Sequence, residues 1–64
     1  MNYKEMYYQA LVDNNDQLNE IDLGLKIGLN ENETRAIITM LLSEYKIEYV
    51  ENKVCDYVPI KKPR

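Results

Sequence analysis

From residue 3 to residue 45 apolar positions recur three and four apart, and from residue 46 to residue 60 they alternate with polar ones. The first period is that of a helix with one buried face, and the second is that of a strand. Residues 3–12, YKEMYYQALV, set Tyr3, Met6, Tyr7, Ala10 and Leu11 on one stripe, which predicts an amphipathic first helix. The run DNND at 13–16 ends it, because Asp and Asn side chains compete with the helical backbone for hydrogen bonds and favour turns and caps. A second helix is expected from about Leu18 or Glu20 to Ile27, with Asn19 as its N-cap. Ile21, Leu25 and Gly28 share one row of it, and Leu23 and Ile27 share another. Gly24 falls in its interior, where glycine costs about 1 kcal/mol relative to alanine. Either that glycine is simply tolerated, or another helix crosses there and leaves no room for a side chain.

Gly28 is a helix stop, since glycine takes the left-handed conformation without penalty. Leu29 then points back to the core, and Asn30 caps a third helix running from about Glu31 to Glu44 or Tyr45. Glu33, three residues after Asn30, completes a capping box, and Glu31 and Glu33 both sit at the positive end of the helix dipole. Thr34, Ile37, Ile38 and Leu41 form its core stripe. Ala36, Met40 and Leu42 are additional, so AIITMLL is apolar over more than one face. Such a helix is either deeply buried in a small domain or has a second contact such as a dimer interface. KIEYV and VCDYVPI, with ENK between them, carry the signature of a β-hairpin whose turn lacks glycine. Pro59 suits a strand end or an edge.

Helix, helix, short turn, helix and hairpin in this order resemble the winged helix-turn-helix family of bacterial regulators. The resemblance is carried by LNEIDLGLKIGLNENETRAIITMLLSEYKIEYV, residues 18–50. Gly24 stands at the family's small position, Gly28-Leu29 at its turn, Asn30 at its cap, and Thr34, Ile37, Ile38 and Leu41 at its buried positions. Tyr45 stands where the family usually has a glycine before the first wing strand, so either the turn differs there or Tyr45 takes a strained backbone. The fold class expected is therefore α+β, mostly α: three helices followed by a two-stranded β-hairpin wing. One domain is expected over residues 1–60, with residues 61–64, KKPR, as a basic flexible tail.

The resemblance implies that the third helix enters the DNA major groove with its N-terminal residues and presents Glu31, Asn32, Glu33, Arg35, Ala36 and Thr39. Asn32 and Arg35 are the base-reading candidates, since asparagine pairs with adenine and arginine with guanine through two hydrogen bonds each. Thr39 is suited to a phosphate or a thymine methyl. Lys53 at the wing tip, Lys46 at its base, and Lys61, Lys62 and Arg64 in the tail are candidates for phosphate contacts, or are ordinary solvated cations. The two glutamates oppose phosphate, although glutamate accepts a hydrogen bond from cytosine N4.

Charge changes this picture. The 64 residues carry a net charge of −3, with the acidic excess in residues 1–33 and a basic excess after it. That weakens the non-specific phosphate attraction on which most DNA affinity rests. A protein partner that meets the acidic and tyrosine-rich surface is the alternative to double-stranded DNA. Tyr8, off the main stripe of the first helix, and Met40 and Leu42 on the third are interface candidates, with a homodimer as one form of such an assembly.

The remaining chemistry narrows quickly. There is no histidine and one cysteine, Cys55, so neither an intrachain disulfide nor a Cys–His zinc site can form, and no metal or other cofactor is expected. Cys55 has no imidazole to activate it, and is expected to be a small buried residue on a strand. Asp13 and Asp16 alternate with Asn but lack the glycine and spacing of a calcium loop. An enzyme is not expected. No apolar run is long enough for a membrane span, the N-terminus lacks a signal-peptide pattern, and an unpaired cysteine suits the reducing cytoplasm. With no Phe or Trp, six tyrosines must supply the aromatic volume of the core.

Overall fold

The structure, a computed structural model, describes residues 2–60. It contains α1 (Tyr3–Asn14), α2 (Glu20–Lys26), α3 (Glu31–Ser43), β1 (Ile47–Tyr49) and β2 (Tyr57–Pro59), the strands pairing as an antiparallel hairpin. Three helices followed by a two-stranded hairpin is the winged helix-turn-helix layout expected from the residue pattern. The tail KKPR lies outside the described residues. Among the described residues no helix is long and apolar enough to cross a membrane.

Each helix starts on an asparagine whose side chain accepts a backbone N–H three residues on: Asn2 from Glu5, Asn19 from Asp22 and Asn30 from Glu33. This satisfies donors that the first helical turn cannot. α2 stops by a Schellman arrangement. Gly28, at φ 97°, donates to the Leu25 carbonyl at 3.1 Å, and Leu29 donates to the Gly24 carbonyl at 2.9 Å. The end of α3 repeats this geometry without glycine. Tyr45, at φ 59°, donates to the Leu42 carbonyl, and Lys46 donates to the Leu41 carbonyl, both at 3.0 Å. The turn is thus of the same kind as that after α2, made by a residue for which the left-handed conformation costs about 1–2 kcal/mol.

The core comprises Tyr7 and Leu11 of α1, Leu23 of α2, Leu29, Ile37, Ile38 and Leu41 around α3, Ile47 of β1 and Cys55. Thr34, fully buried, packs where α3 crosses α2. A Cβ on Gly24 would lie 1.9 Å from Thr34 Oγ1 and 2.9 Å from its Cβ, so the close-crossing reading of this glycine holds. The crossing also corrects two expectations. Presenting Gly24 to α3 turns Leu25 outward, leaving it 57% exposed rather than on a core row, and the first-helix stripe narrows to Tyr7, Leu11 and Asn14, leaving Tyr3 at the surface.

The hairpin pairs Ile47 with Pro59, Glu48 with Val58 and Tyr49 with Tyr57. Hydrogen bonds from Ile60 to the Lys46 carbonyl and from Val50 to the Asp56 carbonyl bracket the ladder, so Pro59 occupies a pair that needs no donor from it. Asn52, left-handed at φ 64°, supplies in the 51–56 loop the conformation a glycine would otherwise give. Val54 and Cys55 belong to this loop and not to a strand, which corrects the longer second strand expected from VCDYVPI.

Gly24→Ala tests the crossing. Alanine improves helix propensity by about 1 kcal/mol. Against that, overfilling a packed site costs about 1–3 kcal/mol, and the 1.9 Å approach puts this variant at the upper end. Urea denaturation should show a net loss of about 2 kcal/mol, partly recovered when Thr34→Ala removes the opposing Oγ1. A single variant as stable as the parent would mean that the helices do not meet here.

Candidate nucleic-acid interface

With Thr34, Ile37, Ile38 and Leu41 turned inward, helical geometry sends Asn32, Arg35, Ala36, Thr39 and Met40 outward, and all five are exposed. The proposed base-reading residues therefore share one uncovered face of α3. The two acids at its start serve different ends. Glu33 turns back so that its Oε1 accepts the Asn30 N–H at 3.0 Å, while its own N–H donates to Asn30 Oδ1 at 2.8 Å. The capping box thus removes Glu33 from the outer face. Glu31 points the other way. Its Oε2 accepts Arg35 Nε at 3.0 Å and Nη2 at 2.7 Å, and this hydrogen bonding holds the guanidinium pKa above its ordinary value.

Thr39 is constrained differently. Its hydroxyl donates to the Arg35 carbonyl at 3.0 Å, so the proton that a phosphate would need is already used, while the methyl group stays available. Of the interface candidates, only Met40 faces solvent, 42% exposed. Leu42 and Tyr8 are half-buried and pack against the core. The Tyr8 ring also lies 5.9 Å beneath the Lys46 ammonium, which engages the wing-base lysine within the fold. Lys4 pairs with Glu44 at 2.5 Å, and that contact holds the Glu44 carboxyl pKa below its usual value. Among the described cations, Lys26 and the exposed loop residue Lys53 stand outside such contacts. Lys61 and Lys62 lie outside the described residues, and no group of three metal-ligating side chains is assembled within them.

The wing is positioned by residues that the sequence pattern marked only as a helix break. Asn14 is buried; its amide donates to the Leu18 carbonyl at 2.9 Å and its oxygen accepts the Leu18 N–H at 3.1 Å, folding the chain from α1 into α2. Asn15 and Asp16 are both left-handed, a conformation these residue types tolerate. Asp16 Oδ1 then accepts the Cys55 N–H at 3.0 Å, and Glu20 Oε1 accepts the Asp56 N–H at 3.1 Å. Two carboxylates thereby hold the loop before β2. Behind them Tyr7 is fully buried and donates its hydroxyl to the Glu20 carbonyl at 2.8 Å. Burial, and then the nearby Cys55, Glu20 and Tyr57, push its pKa far above the usual tyrosine value. Burial also raises the Cys55 thiol pKa, and Sγ donates to the Tyr57 carbonyl at 3.1 Å, which makes it an inert core group.

No protein-family model matches the chain, and neither a curated protein nor a solved structure matches it.

Asp16→Ala should cost about 1–3 kcal/mol, the penalty for a buried N–H left without an acceptor. Asp16→Asn, which keeps the oxygen and tolerates the left-handed backbone, should be close to neutral. Equal urea midpoints for the two variants would remove Asp16 from the wing's support.

Tyr7 gives a pH signature. Its folded pKa is raised, so its contribution is fully present below the unfolded value and is lost as pH climbs. Stability should be level near neutrality and fall above about pH 10, where tyrosines of the unfolded chain ionise. Tyr7→Phe should flatten that fall in urea titrations between neutral and alkaline pH; an unchanged slope would assign the alkaline loss elsewhere.

Proposed function

We propose that the protein is a small, non-catalytic DNA-binding protein that reads the major groove with α3 and acts in transcriptional control in the cytoplasm. The observation that carries this is the orientation of α3. The Gly24–Thr34 crossing fixes the helix so that Asn32, Arg35 and Thr39 share one exposed face, and the exposed Lys53 of the hairpin loop adds a cation elsewhere on the surface. These groups are matched to base edges more than to phosphates. With few unengaged cations, affinity rests on base contacts, and non-specific binding is weak. A homodimer would double the contacts, and exposed Met40 is the α3 residue available to such an interface.

The exposed Tyr45 and Tyr49 and the net charge of −3 favour a second use of the fold, a protein-interaction module that meets a basic partner and leaves DNA alone. Anisotropy with labelled mixed-sequence duplex separates the two. DNA binding predicts detectable association at about 20 mM salt, with log K falling linearly against log salt at a shallow slope of about one to three, one unit for each phosphate contact. No association at that salt rejects the DNA-binding proposal.

A further inference from the structure

The arginine and glutamate on the outer face of α3 form one compound group. Oε2 of Glu31 takes both bonds from Arg35, through Nε and Nη2. Those two nitrogens make up the side edge of the guanidinium. Its end edge, formed by Nη1 and the second proton of Nη2, remains open, and so does Oε1 of Glu31. Both side chains are more than half exposed, at 57% for Glu31 and 63% for Arg35. The pair therefore leaves the two donors of the guanidinium end edge and one carboxylate oxygen free together on the same exposed stretch of α3.

We infer that Glu31 and Arg35 together recognise a G·C base pair from the major groove, Arg35 donating to guanine N7 and O6 and Glu31 accepting from cytosine N4. The G·C edge offers acceptor, acceptor, donor in that order, the complement of this group. An A·T edge sets the adenine N6 donor against the second arginine donor and the thymine O4 acceptor against the carboxylate, so it is rejected at two positions. The acid at the start of α3 thus becomes a specificity determinant, and its repulsion of phosphate is the cost of discrimination. The assignment rests on the DNA-binding function proposed above.

The test compares three duplexes of equal length at about 20 mM salt: one with G·C pairs, one with A·T pairs, and one with inosine·cytosine pairs. Inosine keeps the major-groove edge of guanine and lacks its minor-groove amine. Binding to G·C and inosine·cytosine should be equal, and at least about tenfold tighter than to A·T, the low end of what one bidentate contact discriminates. Glu31→Ala should reduce the preference and raise binding to the A·T duplex, because the carboxylate that accepts from cytosine N4 and opposes thymine O4 is removed. Arg35→Lys, which keeps the charge but not the planar fork, should abolish the preference. Both positions are exposed, and circular dichroism will show that the variants keep the fold. Equal binding of all three duplexes, or inosine·cytosine following A·T, overturns the G·C assignment while leaving DNA binding intact. No binding to any duplex overturns the DNA-binding function itself.

Discussion

The contact between Gly24 and Thr34 governs everything that the outer surface of α3 can do. A helix is a rigid cylinder, so fixing the direction of one buried residue fixes all the others. With Thr34 pressed against a position that has no side chain, its hydroxyl donating to the Asn30 carbonyl at 2.9 Å, α3 cannot rotate without driving a polar group into apolar surroundings. The same close approach brings Leu29 into the core and sets Arg35 and Asn32 opposite to it. A methyl group's worth of missing volume in α2 thus decides the face that α3 shows to solvent.

The acidic residues do more than set the surface charge. Glu33 is a cap, Glu31 clamps an arginine, Glu44 pairs with Lys4, and Asp16 and Glu20 accept backbone N–H groups from the hairpin loop. Each of these carboxylates is engaged in holding the fold or in orienting another side chain. Carboxylates are strong acceptors for backbone N–H groups, and a small domain with little apolar area gains from such bonds where larger domains rely on core volume. The negative net charge follows from that economy as well as from any preference for partners.

What was legible in the residues is what physics settles locally. Asn19, Asn30, Glu33 and Gly28 act within one helical turn, and their roles follow from side-chain length and backbone freedom alone. The core stripe of α3 was equally readable, because four inward positions determine a helical face. Periodicity failed where the phase of a short helix had to be chosen. In the seven residues of α2, rows through Leu25 and through Leu23 fit about equally well, and only the position of α3 selects between them. Contacts across the chain were invisible: Asp16 to Cys55, Glu20 to Asp56, and Lys46 over Tyr8 join residues whose spacing has no period. The candidate site was legible as a set of residue types on one face. The clamp of Glu31 on Arg35 rests on an ordinary i, i+4 spacing that many solvated pairs share.

The two bonds from the hairpin loop to Asp16 and Glu20 span 39 and 36 residues. The helix pair α2–α3, by contrast, closes through residues near each other along the chain. Loop-closure entropy rises with the logarithm of the span, by about 0.6 kcal/mol per doubling, and contacts distant in sequence slow folding. The α2–α3 corner therefore has the shorter route to its native contacts, and closing the wing onto α1 and α2 carries the larger entropy cost. Local opening is accordingly expected first at the loop bonds of Cys55 and Asp56, with amide exchange there ahead of that in α3.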